Sequence, residues 1–388
     1  MTKKILALLM ALVLMMGCLA GCGGSDKQEE SSSPSDLGSA DASPTPGTAD
    51  VETPDKYRLA ADAYPADTVV MTVNGLDVRW DEYYYWLVNL AMQIESSYGE
   101  VDWSSLIDGV SSFQDTARRY AEDVISQYWA ILDKAAELNL SLSEEDQAYI
   151  DSVYASDMAN YANGDAAAFE EYLSKLYISP SLYRKMLEAS QLYASLFTLH
   201  FGEGGEALTD EDALSYAENA GYLHAKHILV ITQDANGTAM SDEDKVSRRA
   251  LAQELYDELA AIDDKEQLLK RFDELMFEYS DDTGLMANPD GYHFLPGEMV
   301  AAFEEGTRAL EMYAMSEVTE SPYGYHIILR LPLELDKAID RTYGYTLRYI
   351  AASALYQTLA KDWFDSAEIV YFDGFDQLDL NELFAKAE

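Results

Sequence analysis

Five histidines, at positions 200, 224, 227, 293 and 326, are the side chains here best suited to metal or proton chemistry. His224 and His227 stand three apart in an apolar run, and on a strand that spacing sends them to opposite faces. They cannot share an ion, and no metal is expected. The acidic loop 281–291 invites calcium, but an EF-hand register with its glycine at Gly291 puts Met286 first and Gly297 last. Neither is a carboxylate, so that route fails. The chain has no Gly-x-Ser-x-Gly, Walker loop or Gly-x-Gly-x-x-Gly, which removes nucleotides and ordinary serine hydrolysis; no cofactor is expected. Both cysteines, Cys18 and Cys22, sit at the extreme N-terminus, so the folded body has no thiol nucleophile and no disulfide framework. What remains is dispersed over four blocks. They are Ala225-Lys226-His227-Ile228-Leu229-Val230, Glu278-Tyr279-Ser280-Asp281-Asp282, Phe294 through Glu304, and Gly324-Tyr325-His326-Ile327-Ile328-Leu329. Each contributes one polar or apolar candidate: His227, Asp282, the set Phe294, Met299 and Phe303, and His326.

The elements that must carry these residues follow from periodicity. His227–Ile231 reads as a strand buried on both faces, and Tyr325–Leu331 as another. Between them, Ser241-Asp242-Glu243-Asp244 caps a helix bearing Leu251, Leu255 and Leu259. A second helix bears Leu268, Phe272, Leu275, Met276 and Tyr279. A third is expected over 298–309, where Met299 and Phe303 at i, i+4 would share a face. This order predicts a compact α/β unit over 221–333. Upstream, Val69–Val73 reads as a strand, Asn74-Gly75 as a tight turn, and Asp81–Tyr98 and Phe113–Leu138 as helices. Ser143 opens a further helix and Pro180 begins another that ends near His200, before a break at Phe201–Gly205. Thr209 caps a short helix leading to Gly221. Downstream, 343–365 is helical again and Ile369–Phe372 a strand. One helix and one strand cannot bury themselves, so they are expected to pack on the N-terminal part. The fold class is therefore α+β: a discontinuous, mainly helical domain of residues 66–220 and 334–388, interrupted by the α/β unit.

The charge balance is 26 basic against 70 acidic residues, a formal net charge of −44. Such a surface does not suit nucleic acid, nor a basic patch on anionic lipid. Lys3-Lys4, an apolar run from Ile5 to Met16 and Leu19-Ala20-Gly21-Cys22 make a signal peptide over 1–21, too short in its apolar part to span a bilayer. The ending resembles a bacterial lipobox, which implies acylation of Cys22 and attachment to the outer face of the cell membrane. Residues 22–65, rich in Ser, Pro, Gly, Asp and Ala, read as a disordered tether reaching roughly 35–40 Å.

In this order and spacing the four blocks resemble a parvulin-type peptidyl-prolyl cis/trans isomerase domain. The lipobox, the Val73-Asn74-Gly75 opening and the returning C-terminal helix extend the likeness to PrsA-like extracytoplasmic foldase lipoproteins, with a SurA-like helical N-terminal region. The resemblance implies that His227, Asp282 and His326 form the catalytic group. It implies that Phe294, Met299 and Phe303 form the apolar pocket for the proline ring, and that the helical domain is chaperone-like. It further implies that the partners are unfolded or partly folded secreted polypeptides. The chain departs from the family at Pro289-Asp290-Gly291-Tyr292, where Gly291 replaces a pocket-wall leucine, at Tyr313-Ala314 and at Ser321-Pro322-Tyr323. Segment 233–244 is acidic where phospho-directed relatives are basic, so phosphoserine preference is not expected. A chaperone with an inactive parvulin domain is the alternative. A solute-binding lipoprotein would share the anchor, but the long helices of residues 81–200 speak against its two α/β lobes.

Overall fold

The computed structural model describes residues 55–107, 109–234, 236–339, 343–372 and 374–385. The expected signal peptide, Cys22 and the tether as far as residue 54 lie outside the described residues. The chain divides into two units, one running to Glu203 and resuming at Ser353–Glu388, the other spanning Gly204–Ala352.

The first unit begins earlier than the tether assignment allowed. Helix α1 (Asp55–Ala61) is ordered because Tyr57, 1% exposed, reaches into the core and donates its hydroxyl to Glu95 at 2.6 Å. Residues 55–65, expected to lie in the tether, therefore belong to the first unit. Strands β1 (Val69–Val73) and β2 (Leu76–Arg79) form an antiparallel hairpin. Asn74 and Gly75 both take positive φ, 51° and 78°, as a tight hairpin turn requires. Strand β7 (Ile369–Tyr371) pairs antiparallel with β1 on its other side, Met71 opposite Tyr371, giving the order β2-β1-β7.

Helices α2 (Trp80–Tyr98), α3 (Phe113–Glu137), α4 (Glu144–Ala162), α5 (Ala166–Lys175) and α6 (Pro180–Phe201) complete this part. Ser112, Ser143, Asp165 and Ser179 cap the last four, each accepting a backbone N–H three residues on. Helix α2 buries Tyr84, Leu87, Val88 and Ala91, and α3 buries Ala117, Ala121, Val124 and Ile125 in the same core. The C-terminal stretch enters that core too. Phe375 meets Tyr64 at 4.9 Å, and Phe384, from the closing helix Leu380–Ala385, meets Tyr57 at 5.0 Å.

The second unit opens with α7 (Asp210–Ala220), capped by Thr209 and ended by Gly221 at φ 89°. A four-stranded antiparallel sheet follows, in the order β4 (Tyr292–Phe294), β3 (Leu223–Ile231), β6 (Gly324–Leu331), β5 (Thr319–Glu320). Helices α8 (Asp242–Ala260) and α9 (Lys265–Tyr279) cover one face, packing Leu255, Leu259, Phe272, Leu275 and Met276 against Ile228, Val230, Ile327 and Leu329. Helix α10 (Ala301–Ala309) serves the opposite face through Phe303.

The unit is longer than the predicted 221–333 at both ends. Arg348 explains why. It lies in the first turn of the helix Leu347–Asp365, is 9% exposed, and donates to the Leu208 carbonyl at 2.7 Å, to Asp210 at 2.6 Å and to Asp336 at 2.5 Å. The residues flanking the sheet are thereby tied together. Among the described residues no helix is long and apolar enough to cross a membrane.

Candidate functional site

The α10 face of the second unit's sheet collects the four blocks. Register places His227 opposite Ile328 and Leu229 opposite His326, so the two histidines are diagonal neighbours on one face. Their Nδ1 atoms are 3.1 Å apart. Asp282 arrives from the loop after α9, and its position has a local cause. Strand β4 pairs with β3 only at residues 223–225, which leaves the rest of that edge open. The loop closes it: Ser280 Oγ accepts the Leu229 N–H at 3.1 Å, Asp281 N–H donates to the Leu229 carbonyl at 2.8 Å, and the Asp281 carboxylate accepts the Ile231 N–H at 3.0 Å. Arg248 of α8 donates to the same carboxylate at 2.7 Å. With Ser280 and Asp281 fixed on the strand, the next residue turns toward His227, whose Nε2 lies 3.0 Å from Asp282 Oδ2.

One proton arrangement serves every contact. His227 Nε2–H and the Tyr292 hydroxyl (2.6 Å) donate to Asp282 Oδ2, and Gly284 N–H donates to Oδ1 at 2.9 Å. His326 Nδ1–H donates to His227 Nδ1, and the Ser321 hydroxyl donates to His326 Nε2 at 2.7 Å. Electrostatics agree with this scheme. Burial pushes His326, 2% exposed, down to about 4, which keeps it neutral at pH 7. Burial opposes ionisation of Asp282, yet its hydrogen bonds from His227, Tyr292 and Gly284 outweigh that and hold it at about 2. A fixed negative charge on Asp282 thus sits at one end of a hydrogen-bonded chain whose far member, His326, is neutral.

Over this chain lies an apolar wall. Phe303, 2% exposed, presents its ring to His227 (centroids 5.0 Å, 75°), to Phe294 (5.5 Å) and to His326 (5.9 Å). Met299 packs on the same cluster with Leu223, Ala225 and Ile328. Its placement corrects the helical expectation: Val300 is extended (φ −60°, ψ 138°) and α10 begins only at Ala301, so Met299 reaches the cluster from the preceding turn. All six predicted site residues therefore belong to one locality. Tyr292 and Ser321 join them without having been singled out. Tyr292 carried a weak signal, since it stands next to Gly291 in the segment that departs from the family.

Gly291 has a structural role of its own. It lies at φ 100°, and a Cβ there would be 2.6 Å from the Ala225 carbonyl oxygen, so no leucine wall fits on this backbone. The other histidines do not extend the site. His224, His293 and Glu334 place candidate ligand atoms within 4.8 Å of one another. However, His293 Nε2 accepts the Glu334 N–H at 3.1 Å, while His224 Nδ1 and Nε2 face the carbonyls of Pro332 and Asp290 at 2.7 and 3.0 Å. Whichever of these nitrogens carries the proton donates to its carbonyl and cannot be a ligand. The rings also stack in parallel at 3.9 Å and 13°, which aims their nitrogens side by side and not at one point. That cluster is hydrogen-bonded packing.

Residues 227–331 match the family model described as the PPIC-type PPIASE domain, Rotamase. The match takes in all six of these residues. Foldase protein PrsA of Halalkalibacterium halodurans is 38% identical over 130 residues, which cover 32% of this chain and 32% of its own. Foldase protein PrsA 1 of Bacillus cereus is 37% identical over 91 residues, 23% of this chain and 32% of its own. The chain thus spans about a third of the length of the curated relatives it matches. The crystal structure of PrsA from Bacillus subtilis is 18% identical, covers 82% of this chain and 99% of that one, and aligns with a TM-score of 0.23.

Proposed function

We propose that this chain, whose residues 227–331 form a PPIC-type parvulin domain, catalyses cis/trans isomerisation of X-Pro bonds in polypeptides outside the cytoplasm, held to the membrane through an acylated Cys22. The observation that carries the reading is the apolar wall of Phe294, Met299 and Phe303 standing over the hydrogen-bonded His227–His326 pair, with Asp282 behind it. Rotation about an X-Pro bond is opposed by about 18–20 kcal/mol of lost amide resonance, and no bond is made or broken. A nucleophile is not required. An apolar wall against the proline ring favours the twisted, less dipolar amide over the planar one. The buried His326, kept neutral, holds the floor of that wall rigid and presents no charge to the reacting amide. A thousandfold acceleration asks for only about 4 kcal/mol of such preference.

The test is catalysis of a proline-limited refolding reaction by the intact chain and by His326→Ala and Phe303→Ala. Both variants should lose tenfold or more, about 1.4 kcal/mol of barrier. Thermal unfolding is measured alongside, because a buried Phe→Ala by itself costs about 3–5 kcal/mol of stability. If the wild type gives no acceleration, yet suppresses aggregation of an unfolded client and neither substitution alters that, the chaperone reading replaces this one. Cys22→Ala tests the anchor: the protein should leave the detergent-extractable lipid fraction.

A further inference from the structure

We infer that Tyr292 is a positioning residue of the isomerase site, which fixes through Asp282 the proton arrangement of the two histidines. This rests on the isomerase reading above and adds a residue to it. Three features converge on the Tyr292 hydroxyl. It donates at 2.6 Å to Asp282 Oδ2, the same oxygen that receives His227 Nε2–H at 3.0 Å. Its ring stands edge-on to His227 at 5.8 Å and 82°, so the phenol and the imidazole approach the carboxylate from two sides. Room for it is made by a glycine: a Cβ on Gly284 would lie 2.3 Å from the Tyr292 oxygen. Gly291, one residue before, lets β4 run close enough to β3 for the phenol to reach across.

The consequence runs along the hydrogen bonds. Asp282 has three donors, of which Gly284 N–H takes Oδ1 and the other two share Oδ2. While ionised and held by Tyr292, the carboxylate accepts a hydrogen bond from Nε2–H of His227 and so keeps the proton on that nitrogen. Nδ1 of His227 is then the acceptor, which orients His326 and, through it, Ser321. The groups facing Asp282 are His227 on β3 and Tyr292 on β4, with His326 of β6 beyond His227; the nearby Arg248 of α8 is engaged by Asp281. Without the phenol hydroxyl, Asp282 loses one donor of three, takes up a proton at higher pH, and then no longer requires Nε2–H on His227.

The test compares the intact wild-type chain with Tyr292→Phe and with Gly284→Ala, which keeps the phenol but crowds its oxygen. Two readouts are taken: imidazole nitrogen resonances of histidine-labelled protein, and the pH profile of X-Pro isomerisation in a short proline peptide. In the wild type, His227 should show a protonated Nε2 and an unprotonated Nδ1 at neutral pH. Both variants should bring in the second tautomer of His227 at a higher pH than in the wild type and move the acid limb of activity up by about one pH unit. Unchanged imidazole resonances and an unmoved acid limb would make Tyr292 a packing residue and overturn the proposal. If the wild type does not isomerise the peptide, the isomerase reading fails, while the resonances still decide whether Tyr292 sets the tautomer.

Discussion

Replacing Gly291 by alanine should unfold the second unit some 8–12 °C below the wild type, although it adds one methyl group. At φ 100° the backbone lies where a Cβ costs about 1–2 kcal/mol. The added carbon would also stand 2.6 Å from the Ala225 oxygen and 2.9 Å from Lys226 Cγ. The lysine stem can move, but the carbonyl belongs to the strand that carries His227. Relief must come from lifting β4 away from β3, which weakens the pairing of Ala225 with Tyr292 at roughly 1 kcal/mol for each hydrogen bond lost. Together these come to about 3–4 kcal/mol, and a domain of this size loses about 2–4 °C for each. Calorimetry of the full chain, in which the two units need not melt together, reads the shift. A second-unit transition within about 2 °C of wild type would refute the claim that the glycine is pinned there by the strand beside it. Gly291→Leu, which restores the residue common in the family, should be at least as damaging.

Acid should weaken the second unit from about pH 6.5 downward. Burial pushes His293 to about 3 and His326 to about 4, so the unfolded chain binds protons that the folded one refuses, and stability is lost as pH falls toward 4; Asp282, held at about 2, adds a further loss only below about pH 4. Urea midpoints at pH 7.5, 5.5 and 4.5 should fall in that order, and a constant midpoint would contradict the neutral assignment of these rings. Ending the chain at Ser366 should unfold the first unit. It removes β7 together with Phe375, Leu380, Leu383 and Phe384, all 5% exposed or less, at about 1.5–3 kcal/mol each. That sum rivals the whole stability of a typical domain, and amide exchange in α2 as slow as in the intact chain would show otherwise.

Signals that act within a few residues are legible in the sequence. Ser143, Pro180, Thr209 and Ser241 each begin a helix where the pattern places it, because a cap bonds its own first turn. The Asn74-Gly75 turn is equally local. Elements held by distant partners are not legible. Tyr57 lies in a polar stretch with no periodicity, and distant contacts such as those with Glu95 and Phe384 hold Asp55–Ala61 in place. Strands β4 and β5 have three and two residues, too few for an alternation to show. Met299 has helical spacing from Phe303 but lies before the first turn, since spacing says nothing about where a helix without a side-chain cap begins. Of the site, residue types could be picked by motif. That Ser280 and Asp281 would dock on β3 and turn Asp282 inward depends on the short reach of β4, which no local pattern records.

That docking gives the site a built-in reporter. The amides of Leu229 and Ile231 are held by the side-chain oxygens of Ser280 and Asp281, not by carbonyls of a neighbouring strand. They stay shielded from solvent only while the loop is seated. A brief departure of the loop would leave the β3–β6 ladder whole and still release both amides, together with the carboxylate that His227 leans on. Their exchange rates therefore count openings of the site itself, separately from unfolding of the sheet beneath it.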